Sequence, residues 1–213
     1  SIASDAFADL AVYEGRLEDA IIILNRGIAA DLKAGQADYA ADKLLILADV
    51  FLQRNQKIKA TECADKALGA SKNEDIMFAA ARVYIQADLD NKAIGIRDRL
   101  SKKVQPINLA YSKLLEGEMS LRKGDAPSAI RLFREAQATV DTWFGRFLTG
   151  YASLKAGAFT EAYTEFDLCL KRRGEATSIF MNDLPTYRYF PQVYYYLGRT
   201  QEEVKSPATK ESY

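Results

Sequence analysis

The sequence predicts an all-α protein, an α-solenoid of stacked antiparallel helix hairpins with about five and a half repeats. Three observations carry this. An alanine recurs in equivalent surroundings at Ala20, Ala60, Ala93, Ala129 and Ala162, at spacings of 40, 33, 36 and 33 residues. That is the period of paired-helix repeats rather than of one globule. A turn-forming residue stands five positions before each of them, as Gly15, Asn55, Asp88, Gly124 and Gly157, and breaks the chain between two helices. A second small residue stands twelve positions before, as Ala8, Ala48, Ala81, Gly117 and Gly150. Paired small residues let helix backbones approach closely, and a larger side chain there would cost about 1 to 3 kcal/mol by overpacking.

In chain order the repeats occupy residues 1–34, 35–72, 73–105, 106–140 and 141–184, with a shortened sixth at 185–213, as one continuous array over 1–213. After the marker alanines, larger residues recur at three- and four-residue spacing, Leu24 and Ile28 in the first repeat and Phe133 with Ala136 in the fourth. They form one stripe of a second helix that faces the first. The second repeat has a longer entry, "AGQADYAADKLLILADVF", which predicts an extended first helix. Between the fifth and sixth, "RGEATSIFMNDLPTY" is too long for a tight turn and predicts a short extra helix and a loop ended by Pro185. The sixth opens its first helix at Pro191, a favoured first-turn residue, and its second helix would start near Ser206 and Pro207. Because the chain starts at Ser1 and stops at Tyr213, it is expected to be an excised part of a longer polypeptide.

These residues resemble the tetratricopeptide repeat family, whose pattern is a small residue at position 8, a turn near 15, Ala at 20, a large apolar residue at 24 and a small one at 27. The fifth repeat matches best, through Gly150, Gly157, Phe159, Ala162, Phe166 and Cys169, and the first through Ala8, Gly15, Leu17, Ala20, Leu24 and Gly27. Arg97 and Leu100 depart from the pattern in the third, whose second helix is expected to sit differently. The resemblance implies a right-handed superhelix with a concave surface lined by the first helix of every repeat. The tail "CLKRRGEATSIFMNDLPTYRYFPQVYYYLGR" also looks like helical-repeat regions that follow a kinase or other regulatory domain in bacterial multidomain signalling proteins. That likeness implies a sensing or docking part.

Composition narrows the function. Twenty-nine basic residues balance 29 acidic ones, which removes the long-range attraction that nucleic-acid and anionic-membrane binders rely on. Apolar runs such as "AIIIL" and "LLILADVFL" are far shorter than a bilayer span of roughly 20 residues. No membrane insertion is expected. Cys63 and Cys169 fall in helical patterns as small buried thiols, favouring a reducing, cytoplasmic setting. With no histidine in the chain, His-based triads, His general bases and most zinc sites are excluded. "GRFLTGYA" has phosphate-loop glycine spacing but offers Tyr151 and Ala152 where Lys and Ser/Thr are needed. "DLDNKAIG" reads as a helix–helix turn rather than a calcium loop, and "LKRRG" as cations at a helix C-terminus. No catalytic residue, metal or cofactor is expected.

A protein or peptide partner remains, and self-association through the shortened sixth repeat is the other expectation, with a homodimer as its product. Mapped through the family's concave positions, the early repeats present Asp5, Asp9, Asp42, Asp49 and Asp75. The later ones present Tyr111, Arg122, Phe144, Phe147, Tyr151, Lys155, Tyr195, Tyr196 and Arg199 as the expected peptide-binding residues. Rings with polar tips give large contact area at low entropic cost. Arg122, Lys155 and Arg199 would favour an acidic or phosphorylated segment. Family members that clamp a terminal carboxylate use Lys and Asn where this chain has Asp5, Asp9, Leu45 and Ile46, which argues against that mode.

Overall fold

A computed structural model gives the fold of residues 2–176 and 187–204, the residues described below. Among these, the chain forms eleven α-helices and two short 3-10 turns, with no strand. The expected loop ended by Pro185 and the second helix near Ser206 lie outside the described residues. The chain divides into two compact units, Ser1–Lys102 and Lys103–Tyr213, and the division falls just before the end of the third repeat of the sequence.

In the N-terminal unit, α1 (Ile2–Tyr13) and α2 (Leu17–Lys33), α3 (Ala37–Gln53) and α4 (Lys57–Ala70), and α5 (Glu74–Gln86) and α6 (Asp90–Ser101) form successive hairpins. Each helix packs on the next, and α3 also touches both α1 and α5. The first helices of neighbouring hairpins therefore pack side by side, which is the contact pattern of a helical repeat. The expected long entry helix of the second repeat is α3, with 17 residues.

The C-terminal unit repeats the pattern with α7 (Pro106–Arg122), α8 (Ala126–Thr139), α9 (Trp143–Lys155) and α10 (Phe159–Lys171). Two 3-10 turns, Arg173–Ala176 and Tyr187–Tyr189, precede α11 (Phe190–Glu203). Here α9 touches α7 and α11 as well as its sequence neighbours. Pro106 opens α7, where its missing N–H costs nothing. The side chains of Asp125 and Thr142 cap α8 and α9 by accepting from the N–H groups of Ser128 and Gly145.

The turns share one backbone solution. Gly15, Asn55, Asp88, Gly124 and Gly157 all have φ between 57° and 85°, the left-handed conformation that ends a helix and starts its return. Around Gly15 the N–H of Arg16 reaches back to the carbonyl of Ala11 at 2.8 Å, and that of Gly15 to Val12 at 3.0 Å. The same pair of bonds closes the other four turns. Gly35, with φ 72°, repeats it between α2 and α3, a turn the marker-alanine spacing did not reveal.

All five marker alanines are fully buried, as are Ala8, Ala48 and Ala81. Gly117 and Gly150 show why the paired position must be small. A Cβ on Gly117 would lie 2.3 Å from Cε1 of Phe133, and one on Gly150 2.9 Å from Cε1 of Phe166. The large residue four after the marker lies against the small residue twelve before it. In the third repeat, α6 buries Ala93, Ile96 and Leu100 despite its departure from the pattern, and packs on α5 through that stripe.

Candidate binding groove

The aromatic-rich end of the chain is first of all core. Trp143 opens α9 fully buried, and its indole N–H donates to the carbonyl of Cys169 at 2.9 Å. Its ring stacks on Phe147 at 6.1 Å and meets Phe190 at 5.2 Å. Tyr189, from the turn before α11, lies 5.5 Å from Phe144 and 5.6 Å from Phe147. Tyr196 of α11 meets Phe166, Phe147 and Tyr151. Tilted and offset rings at these separations are worth about 0.5 to 1.5 kcal/mol a pair beyond area burial, and they seat α11 on α9 and α10.

Where that packing ends, an open groove of about 550 Å³ begins, lined by Tyr151, Lys155, Phe159, Tyr195, Tyr196, Arg199 and Glu203 among others. α9 and α11 supply most of it, so the side chains project from the first helices of the fifth and sixth repeats. Lys155 sits over the Tyr151 ring, its Nζ 5.3 Å from the centroid, and no carboxylate pairs with it among the described residues. Arg199 donates to the Tyr195 hydroxyl at 3.4 Å and approaches Glu202 at 3.4 Å. Burial first, then the hydroxyl of Tyr151, pushes the Tyr196 phenol up to about 12, so it stays protonated and able to donate. Two cations resting on ring faces and hydroxyls, with aromatic walls, can hold an anionic group flanked by apolar surface.

Of the residues expected to bind, Tyr151, Lys155, Tyr195, Tyr196 and Arg199 therefore meet in one groove. Tyr111, Phe144 and Phe147 are buried and offer no open surface. Tyr189 lies against both of the last two, and Trp143, Phe166 and Tyr196 also pack on Phe147. Arg122 is exposed near the end of α7 and does not line the groove. Phe159 and Glu203 were not anticipated. Phe159 was read only as a repeat-packing position, and Glu203 follows a residue already placed in the groove, Arg199, by one helical turn.

In the N-terminal unit the acidic positions also divide. Asp42, Asp49 and Asp75 are half-buried, whereas Asp5 and Asp9 are buried. Burial, then Asp75 and Asp5, push the Asp42 carboxyl up to about 7. Lys43, beside it, is completely buried between Asp31 at 2.7 Å and Asp5 at 3.1 Å. Sequence reading missed this cation, because "ADKLLILAD" shows no sign that its one lysine points inward.

Among the described residues no group of acidic or thiol side chains is placed to hold a metal ion. Cys63 and Cys169 are buried free thiols, and burial raises the Cys63 thiol to about 11, which keeps it unreactive. Asp88 is the left-handed residue of the α5–α6 turn, and in "LKRRG" Lys171 pairs with Asp167 while Arg172 pairs with Asp141 and Glu175. A smaller cleft of about 180 Å³ lies among Arg134, Thr149, Thr160 and Glu165, but the Thr149 hydroxyl is already engaged by Gln137 and the Gly145 carbonyl. No described helix is long and apolar enough to cross a membrane. No family model matches the chain, and no curated protein matches it.

Proposed function

We propose that the chain is a non-catalytic helical-repeat module of the tetratricopeptide type, a right-handed solenoid that binds a protein or peptide segment on the surface of its first helices. The observation that carries this reading is the convergence of Tyr151, Lys155, Tyr195, Tyr196 and Arg199 on one groove. Its occupant is an acidic or phosphorylated segment, because Lys155 rests on the Tyr151 ring with no carboxylate of its own among the described residues, and Arg199, which also meets Glu202, lies on the same groove. Aromatic walls supply contact area at little entropic cost. In a larger signalling protein such a module serves as the docking or sensing part, and its setting is cytoplasmic.

The test is calorimetry with an acidic, tyrosine-flanked peptide library and its lysine-substituted counterpart, using the wild-type chain and a Lys155→Ala, Tyr195→Ala, Arg199→Ala variant. These three side chains are at the surface, so the variant keeps its fold. The reading expects at least tenfold weaker binding of acidic peptides by the variant. Equal affinity in the two proteins, or a preference for the lysine-substituted peptides, refutes it.

A further inference from the structure

One face of α1 is open where the same face of later first helices is covered. Ala3, Ala6, Phe7 and Leu10 fall on a single stripe about 100° wide, and all are exposed, Phe7 at 63% and Leu10 at 39%. Counted from the small residue of each repeat, the equivalent positions in α3 are Lys43, Ile46, Leu47 and Val50, and all four are buried. In the same register α5 buries Ile76, Ala80 and Val83, and α9 buries Gly145, Leu148, Thr149 and Ala152. Each of those helices packs on the hairpin before it, α3 on α1 and α2, α5 on α3 and α4, α9 on α7 and α8. The helices on which α1 packs, α2 and α3, both follow it in the chain, and its stripe stays open.

A helix face that meets only water carries charge, and the outermost helices of a solenoid need such a polar face. This stripe has none from Ala3 to Leu10. The charged residues within that span, Asp5 and Asp9, are turned inward and buried, and the next along the stripe, Glu14, is engaged by Arg16. The order along the stripe is small, small, large, large. A twofold axis beside the helix, midway between Ala6 and Phe7, sets a second α1 antiparallel to the first, with Ala3 facing Leu10 of the second copy and Ala6 facing its Phe7. Every large side chain then meets an alanine, the small-against-large fit that lets two helices interdigitate. Large residues at both ends of the stripe, or both in its middle, would oppose each other instead. A twofold interface must be complementary to itself, and this stripe is.

We propose that the Ala3, Ala6, Phe7 and Leu10 face of α1 docks a second copy of this chain, the two α1 helices pairing antiparallel about a twofold axis. The surface belongs to the N-terminal unit and shares no residue with the groove of α9 and α11. One helix face buries less than the roughly 1,200 Å² at the lower end of stable interfaces. The pairing is therefore weak, reversible and set by protein concentration.

Sedimentation equilibrium of the whole chain from about 10 µM to about 1 mM, the range of weak pairs, tests this with wild type, Phe7→Ala and the exchange variant Ala6→Phe, Phe7→Ala. Both positions are exposed, so the variants keep the helical circular dichroism of the wild type. The expected result is a wild-type mass that climbs from one chain towards two, dimerisation at least tenfold weaker in Phe7→Ala, and recovery to within about threefold of wild type in the exchange variant, because the twofold axis swaps the two facing positions. A monomer at every concentration overturns the proposal and leaves the face to a helix of a different protein. Association that Phe7→Ala does not weaken places the contact elsewhere and overturns it too. Loss in Phe7→Ala without recovery in the exchange variant overturns the antiparallel twofold pairing.

Discussion

Gly117→Ala is expected to destabilise the C-terminal unit although it replaces a poor helix former by the best one. In an exposed helix interior the change gains about 1 kcal/mol. At Gly117 the new methyl would stand 2.3 Å from Cε1, 2.6 Å from Cδ1 and 3.0 Å from Cζ of Phe133, whose ring is fully buried. Ordinary contact begins near 3.4 Å, so the ring must withdraw by about an ångström into packed surroundings. Overpacking of that kind costs about 1 to 3 kcal/mol, and a fully buried ring lies at the upper end. The net loss is about 1 to 2 kcal/mol. Urea denaturation followed by circular dichroism reads it as a lower midpoint with unchanged slope. A double variant with Phe133→Leu should be less destabilised than the two single losses add up to, because the smaller side chain vacates the methyl's space. Gly95→Ala is the control: nothing lies within 4 Å of its Cβ position, so it should stabilise by about 0.5 to 1 kcal/mol. If Gly117→Ala equals or exceeds the wild type in stability, close helix approach at the small positions is not what this repeat depends on.

Asp42 makes the stability of the N-terminal unit fall as pH rises. Its folded carboxyl keeps a proton up to about 7, whereas the unfolded one releases it near 3.8. Between those values the folded state binds more protons, and stability declines with pH. The full displacement corresponds to about 4 kcal/mol, which partial exposure of the group reduces to about 1 to 2 kcal/mol. Asp42→Asn should flatten the change in urea midpoint between pH 5 and 8, and an unaltered slope would assign it to other groups. Asn55 holds φ 57° in the α3–α4 turn; Asn55→Ala should cost about 1 kcal/mol and Asn55→Gly should not, as thermal melting will show.

The helices were legible because each repeat states its own geometry locally. Ala20, Ala60, Ala93, Ala129 and Ala162 mark the buried stripe, and a left-handed residue five positions earlier marks the return. Gly35 escaped because it joins two hairpins instead of closing one, although "AGQ" has the same chemistry as "EGR" in the first turn. The groove was legible where side chains stay at the rim, as with Lys155, Tyr195 and Arg199. It was not where coverage depends on a distant segment. Nothing near Phe144 or Phe147 announces that Tyr189 will lie against them. Lys43 is the same case, since its partners Asp5 and Asp31 come from two other helices.

The chain's single tryptophan is Trp143, shielded from solvent and tethered to the Cys169 carbonyl. Its emission should therefore be blue-shifted in the native protein and move to the red when α9 and α10 part. Tryptophan emission is reported from that one spot, while residues 1–102 carry no tryptophan. The molecule thus carries its own optical label for one half, by which the opening of its C-terminal helices can be timed apart from events near its beginning.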